Sequence, residues 1–155
     1  MVRALVMGVA VILRIASCLL LLASAAGCAQ APRRGAETPV RPPDRAGLVE
    51  RVSFPTAGAT PAPRDAAAVT KNARWMGENR AAVVVLRGHC DERGSSEYNM
   101  ELGDRRARSV MGMLMREGVH PSRLIVVSRG ESEPIDPGHG PTAWEKNRRV
   151  EFVVR

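Results

Sequence analysis

A change of hydrophobic period in the middle of the chain constrains the fold more than any other feature. Residues 81–86 read Ala-Ala-Val-Val-Val-Leu, a short β-branched apolar run that predicts a buried strand. Further on, the period becomes that of an amphipathic helix, which Ser95 or Ser96 can cap and which ends near Gly118. One face of this helix carries, at four-residue spacing, Leu102, Arg106, Val110 and Leu114. A polar connection between such a strand and helix is a common place for binding groups.

Shorter patterns on both sides of this unit complete the secondary-structure prediction. Residues 48–54 predict a first strand, and the apolar face of residues 64–78 predicts a helix with Trp75 in the core. Residues 124–127 predict a third strand and residues 143–146 a short helix. A last strand is indicated by alternating polarity, with these residues on its apolar side: Val150, Phe152 and Val154. The order βαβαβ(α)β predicts a two-layer α/β domain with its helices on one sheet face.

Three ordered pieces of the sequence carry a resemblance to a known family. The first is Gly88-His89-x-Asp91-Glu92-Arg93-Gly94, continued by Glu97-Tyr98-Asn99 and by Leu102-Gly103-x-Arg105-Arg106-Ala107. The second is Val127-Ser128-x-Gly130-Glu131-x-x-Pro134, and the third is Lys146-Asn147-Arg148-Arg149-Val150-Glu151-Phe152. Together they resemble the OmpA-like peptidoglycan-binding domain, most closely that of the peptidoglycan-associated lipoproteins (Pal). The resemblance implies the fold of the OmpA-like C-terminal domain, a two-layer α/β sandwich with helices on one face of a four-stranded mixed sheet.

The resemblance also implies a ligand and a site. It implies that Asp91 and Arg106 bind the diaminopimelate of the peptidoglycan stem peptide and that Arg93 assists. The residues expected to support them are His89, Asn99 and Leu102. The chemistry of these residues is compatible, because arginine offers a carboxylate a bidentate fork and aspartate offers an ammonium group a counter-charge. The alternative is a solvated run of charges.

Two features of the sequence bear on that site. Arg106 lies about 15 Å along the predicted helix, so the loop has to fold back to meet it. The family also carries a Phe-Asp-Phe-Asp run at the end of the first strand, where this chain has Phe54-Pro55-Thr56-Ala57. The second aspartate is therefore missing, which leaves ligand affinity and selectivity open. We expect Arg106→Ala to weaken wall binding without unfolding the domain.

The N-terminal residues predict export and a lipid anchor. Residues 1–27 have the composition of a signal peptide, and Leu22-Ala23-Ser24-Ala25-Ala26-Gly27-Cys28 resembles a lipobox with Cys28 as the acylated residue. Ordinary secretion, a transmembrane anchor and translation from Met7 are the alternatives. Residues 28–47, rich in proline, predict a tether from the lipidated cysteine. Residues 48–155 then form the domain.

Composition bears on three further possibilities: a disulfide, a metal site and a nucleic-acid partner. Of three cysteines, Cys18 leaves with the signal peptide and Cys28 is acylated, so Cys90 has no partner for an internal disulfide. Burial of Cys90 is favoured over a metal site with His89 or a redox role. The formal net charge is +7, yet only 3% of residues are aromatic and export is predicted, which disfavours a nucleic-acid partner.

These observations predict a binding protein without catalytic residues, cofactor or metal. The expected function is non-covalent binding of peptidoglycan by a lipoprotein anchored in the outer membrane through Cys28 and facing the periplasm. The Pal resemblance further implies a place in the Tol-Pal system, with a TolB-like propeller protein as partner. The alternatives are a wall-binding lipoprotein of the same family outside that system and, after it, a cell-wall enzyme.

Overall fold

The computed structural model describes residues 45–155, and its elements follow the predicted order. The predicted signal peptide, Cys28 and the predicted tether up to residue 44 lie outside the described residues. Within this part of the chain, no helix is both long and apolar enough to cross a membrane. The strands and helices are β1 (Arg51–Ser53), α1 (Pro63–Glu78), β2 (Val84–His89), α2 (Ser96–Arg116), β3 (Leu124–Gly130), α3 (Pro141–Asn147) and β4 (Arg149–Val154), with a 3₁₀ turn at Pro121–Arg123 before β3.

The four strands form one mixed sheet in the order β1-β4-β2-β3. Strand β4 pairs antiparallel with both β1 and β2, whereas β2 and β3 are parallel and are joined by the crossover helix α2. In the centre of the sheet, Leu86 lies between Val126 of β3 and Phe152 of β4. The predicted two-layer α/β fold with a four-stranded mixed sheet is confirmed.

Helices α1 and α2 pack on one face of this sheet and enclose the core. Alternate residues of β4 point into it, as their pattern predicted, and Trp75 is only 4% exposed, which confirms its core position. The larger core residues are Val52, Phe54, Val69, Trp75, Met76, Val84, Leu86, Val110, Leu114, Val119, Leu124, Val150, Phe152 and Val154. One apolar cluster therefore joins the sheet to both helices and supports the loops at the end of the sheet.

Strand β2 lies three residues further along the chain than its apolar run predicts. The polar pattern placed Gly88 and His89 in a loop. In the structure, Gly88 pairs with both β3 and β4, and His89 pairs with β3. Gly88 fits because α2 crosses the strand very closely: a Cβ atom there would lie 1.9 Å from the carbonyl oxygen of Gly103. Strand β1 is also shorter than the predicted residues 48–54. Before its first residue, the side-chain amide of Asn72 accepts a hydrogen bond from the backbone N–H of Val49 and donates one to its carbonyl, so these groups do not pair with a strand.

Helix α2 begins and ends where the sequence predicts. Ser95 is the N-cap, and its hydroxyl oxygen accepts a hydrogen bond from the backbone N–H of Tyr98 at 3.2 Å. At the other end Gly118 has φ of +92°, the left-handed conformation that terminates helices. The cap fixes the first turn of α2 directly beside the β2–α2 loop.

Candidate ligand-binding site

A pocket of about 250 Å³ opens where three segments meet. These are the loop after β1, the loop between β2 and α2, and the first turns of α2. We call it the Asp91 pocket, and its lining consists of Thr56, Ala57, Cys90, Asp91, Arg93, Gly94, Tyr98, Asn99, Leu102 and Arg106. Five of the six residues expected at the site therefore line one cavity, and His89 is the sixth.

The carboxylate of Asp91 is held by two arginines. Arg93 donates to it three times, from Nε to Oδ1 at 3.0 Å, from Nη2 to Oδ2 at 2.8 Å, and from its backbone N–H to Oδ1 at 3.2 Å. Arg148 donates from Nη1 to Oδ2 at 3.2 Å. Burial by itself raises the pKa of Asp91, but these hydrogen bonds outweigh it and the pKa lies below its ordinary value. Asp91 is therefore a fixed anion whose acceptor positions are all occupied.

Arg106 forms the floor of the pocket and has no exposed surface. Its guanidinium donates to three backbone carbonyls, those of Gly58 at 2.8 Å, His89 at 2.8 Å and Pro55 at 3.0 Å. Nη1, which donates to the His89 carbonyl, also lies 3.4 Å from the sulfur of Cys90. Burial lowers the pKa of Arg106, although a guanidinium stays charged in proteins. Arg106 thus fastens the loop after β1 to the end of β2.

The fold places Arg106 next to the β2–α2 loop, although its position along α2 suggested a larger separation. Because Gly103 packs directly on Gly88, the next turn of α2 lies under the end of β2. The loop after β1 then crosses above it, so the Phe54 ring centroid lies 5.3 Å from the guanidinium carbon of Arg106. Gly94, with φ of +106°, provides the turn that leads from Asp91 back to α2.

Arg93 forms the rim of the pocket, and its side chain is 42% exposed. Its guanidinium carbon lies 4.1 Å from the ring centroid of Trp144 in α3. The neighbouring residue, Glu92, accepts a hydrogen bond from the indole Nε1 of Trp144 at 2.9 Å and contacts Nδ1 of His139 at 2.6 Å. The β2–α2 loop is therefore attached to the segment that precedes β4.

The side chain of His89 does not reach the pocket. It lies on the other face of the sheet and is 1% exposed, with Nε2 3.6 Å from the Glu151 carboxylate. Burial first, and then the nearby charge of Arg149, lowers the pKa of His89 to about 4. What His89 contributes to the site is its backbone carbonyl, an acceptor for Arg106. The expectation that its side chain supports the ligand is corrected accordingly.

The other two residues predicted to support the ligand, Asn99 and Leu102, line the pocket. Asn99 is 2% exposed in the wall of the pocket, beside Leu102. Its Nδ2 group interacts with the Glu131 carboxylate, yet it has no hydrogen bond of good geometry within residues 45–155. Cys90 is 3% exposed and donates from its thiol to the backbone oxygen of Asn99 at 3.2 Å, which confirms the prediction of burial. No cluster of three or more potential metal ligands occurs in the described part of the chain.

Sequence reasoning missed two residues that act on the pocket. Arg148 stands in the third family motif, and that motif was the only signal for it. Trp144 lies 52 residues from its partner Glu92, and no local pattern connects the two. Thr56 and Ala57 line the pocket as well, at the position where the family's second aspartate is missing.

The fold and the pocket together define a small α/β binding domain with a cationic site. A model of the OmpA family matches residues 54–148, which is more than half of the chain. The chain belongs to the OmpA family.

Relatives with names are consistent with this assignment. The peptidoglycan-associated lipoprotein of Pseudomonas aeruginosa is 53% identical over 69 residues, which are 44% of this chain and 41% of that protein. The chain thus spans well under two thirds of that relative's length. The peptidoglycan-associated lipoprotein of Mesorhizobium japonicum is 32% identical over 117 residues, covering 75% of this chain and 70% of that protein.

Solved structures have the same fold. The crystal structure of the peptidoglycan-associated lipoprotein from Burkholderia pseudomallei superposes with a TM-score of 0.67 at 30% identity, covering 69% of this chain and 91% of that one. The C-terminal domain of Helicobacter pylori MotB gives a TM-score of 0.64 at 25% identity, with 69% and 84% coverage. This chain is therefore similar to peptidoglycan-associated lipoproteins in sequence and in structure.

Proposed function

We propose that residues 48–155 bind peptidoglycan non-covalently through the Asp91 pocket, with the diaminopimelate of the stem peptide as the ligand. The observation that carries the proposal is the convergence of Asp91, Arg93 and Arg106 on one cavity from separate parts of the chain. The guanidinium groups of Arg93 and Arg148 bind the Asp91 carboxylate and that of Arg106 lies in the floor, so the pocket has a net positive charge. Such a site favours a ligand that presents carboxylates together with an ammonium group.

The three proposed ligand-binding residues have different parts in this mechanism. Arg93 uses only Nε and one Nη2 donor on Asp91, so its outer N–H groups have no partner among residues 45–155 and are oriented to receive a ligand carboxylate. Asp91 attracts the ligand ammonium group, which replaces one of the four hydrogen bonds that the carboxylate accepts. Arg106 holds the wall of the pocket in place from below, where its guanidinium fastens the loop that carries Thr56 and Ala57.

We further propose that Cys28 is acylated and anchors the chain in the outer membrane, with the domain facing the periplasm on a tether of residues 28–47. The lipobox-like sequence supports this placement, as do relatives named peptidoglycan-associated lipoproteins. A TolB-like propeller protein is the proposed partner. Since MotB has the same fold, the fold alone does not assign that partner.

The binding proposal is tested with purified domain and isolated sacculi. The domain should sediment with sacculi, and a soluble muropeptide that contains diaminopimelate should release it, whereas one that contains lysine should not. Arg93→Ala should weaken binding roughly tenfold, the loss expected for a charge-assisted hydrogen bond. Arg105→Ala is the matched control, because Arg105 is also 42% exposed and pairs with Glu101 outside the pocket.

Three results would contradict parts of this proposal. Equal losses for Arg93→Ala and Arg105→Ala that disappear at high salt would mean binding by general electrostatics. Release of muropeptides from sacculi by the domain itself would mean an enzyme.

For the anchor, Cys28→Ala should yield a soluble exported protein, and a variant that still fractionates with the outer membrane after sacculus digestion would exclude acylation at Cys28 as the anchor.

The partner needs a separate experiment. Mild crosslinking in cells, followed by purification of this chain, should recover the propeller protein of the Tol system. Repeated absence under conditions that capture a control Pal would favour a wall-binding lipoprotein outside that system.

A further inference from the structure

Trp144 is the part of the pocket's surroundings to which neither the sequence motifs nor the proposed binding mode assigns a role. It lies in α3, outside the lining of the pocket, and its ring faces the guanidinium of Arg93 with 4.1 Å between the ring centroid and the guanidinium carbon. An arginine over an indole face gains from the negative quadrupole of the ring. Arg93 is thus held along its edge by Asp91 and across its face by Trp144.

The position of the ring is itself fixed. Glu92 accepts a hydrogen bond from the indole Nε1 at 2.9 Å through one carboxylate oxygen and contacts His139 at 2.6 Å through the other. The hydrogen bonds from Trp144 and His139 lower the pKa of Glu92, which is therefore ionised near neutral pH. Because Glu92 precedes Arg93 in the chain, the same loop that carries the guanidinium also holds the ring beneath it.

This arrangement matters because Arg93 is otherwise free to move. Its side chain is 42% exposed, and a long exposed arginine has substantial rotamer entropy that is lost on binding. Two fixed contacts, one with a carboxylate and one with a ring, restrict it before the ligand arrives. A pre-oriented donor loses less entropy when it binds a carboxylate.

We propose that Trp144 is a positioning residue, which holds the outer N–H groups of Arg93 in the orientation that receives a ligand carboxylate, with Glu92 fixing the ring. This inference rests on the proposed function, because it assigns a carboxylate of the bound stem peptide to Arg93. It adds α3, whose last two residues begin the third family motif, to the binding apparatus.

The test measures the affinity of the domain for a soluble tripeptide muropeptide that contains diaminopimelate, by isothermal titration calorimetry. Trp144→Leu should weaken binding roughly two- to fivefold, the range expected for an exposed cation–π contact. Trp144→Phe keeps an aromatic face and should recover most of the affinity. Circular dichroism on each variant checks that α3 and the rest of the fold persist.

A double-mutant cycle separates positioning from a structural role. In an Arg93→Ala background, Trp144→Leu should have no further effect on affinity, since the group that it positions is gone. Equal losses from Trp144→Leu with and without Arg93 would overturn the inference, as would an unchanged affinity in the single variant.

A measurement on the free domain keeps the inference independent of the ligand. In ¹⁵N NMR spectra, the Nε–H group of Arg93 should be ordered in the wild type and in Trp144→Phe, and mobile in Trp144→Leu. If the wild type fails to bind the muropeptide while Arg93 behaves in this way, the proposed function fails and the positioning role stands. If Arg93 is equally mobile in all three proteins, the positioning role fails.

Discussion

The floor and the rim of the Asp91 pocket each contain an arginine, and the two have opposite surroundings. Arg106 in the floor has no exposed surface and donates to backbone carbonyls from two segments. Arg93 on the rim is 42% exposed, and its partners are the side chains of Asp91 and Trp144. The guanidinium is the same group in both places, but in the floor it replaces the hydrogen bonds that buried carbonyls need, whereas on the rim it retains donors for a ligand.

This difference shows how a family motif can combine two physical roles. A buried arginine that satisfies backbone acceptors is part of the folded structure, and its removal leaves those acceptors unpaired in a cavity. An exposed arginine held by two side chains can be removed at little cost to the fold. Stability and binding should therefore respond differently to changes at the two positions.

The largest expected effect is on stability at Arg106. Arg106→Ala should lower the free energy of unfolding by about 3–5 kcal/mol, because it leaves three backbone carbonyls without donors and empties the space of a large side chain. Urea unfolding followed by circular dichroism measures this loss. The sequence predicted that this variant does not unfold, and the structure adds that its stability should fall. A stability within 1 kcal/mol of the wild type would contradict the structural role of Arg106.

Behind the floor, His89 should make stability depend on pH. Its folded pKa of about 4 lies below the ordinary 6.5, so between these values the unfolded chain binds more protons than the folded one and stability falls as pH falls. The loss should reach roughly 3 kcal/mol at ~1.4 kcal/mol per pKa unit. The groups around the imidazole are Arg87, Glu133, Arg149 and Glu151.

Denaturant titrations at a series of pH values test this prediction. His89→Gln should flatten the upper part of this slope, near pH 6.5, because the contribution of Glu151, whose pKa is lowered, is lost only as pH falls to its ordinary value of 4.5 and below. His120→Gln, in an exposed loop, is the control and should leave the slope unchanged. An equal slope in wild type and His89→Gln would mean that His89 does not set it.

Arg148 lies between the floor and the rim, and its variant should have an intermediate result. It donates to Asp91 at 3.2 Å and to the backbone oxygen of Phe54 at 3.1 Å, and its side chain is 12% exposed. Arg148→Ala should lower stability by about 1–2 kcal/mol and weaken muropeptide binding by less than Arg93→Ala. Thermal unfolding and calorimetric titration of the same sample measure both. A loss of stability alone would group Arg148 with Arg106 in the floor, and a loss of affinity alone would group it with Arg93 on the rim.

The smallest expected effect is a gain at Ala57, where the family's second aspartate is missing. Ala57 lines the pocket and has φ of +53°, a left-handed conformation that aspartate and asparagine adopt more readily than most residues. Ala57→Asp should strengthen muropeptide binding roughly threefold to tenfold by adding a counter-charge for the ligand ammonium group. Ala57→Asn tolerates the same backbone without the charge and should give little gain. An equal gain in affinity for Ala57→Asp and Ala57→Asn would mean that the backbone conformation, and not the added charge, causes the gain.

The sequence by itself determined the order of the elements and half of the residues that line the pocket. Hydrophobic period, a serine N-cap and a terminal glycine act over a few neighbouring residues, so α2, its ends and the alternation in β4 could be predicted from local pattern. Of the six residues that the family motif predicted for the site, five line the pocket. The end of β2 could not be predicted, since Gly88 and His89 look like a polar loop until strands β3 and β4 pair with them.

The tertiary structure decided which charged residues are buried. Two of the three carbonyls that bind Arg106 come from the loop after β1, 48 and 51 residues away, and the ring that faces Arg93 comes from a helix near the other end of the chain. The sequence placed Arg106 on the apolar face of the predicted helix, beside Leu102 and Val110, but it did not identify the backbone carbonyls that the guanidinium meets. Burial is a property of packing between distant segments, and this is why only the folded domain separates the arginine that supports the fold from the one that remains available to a ligand.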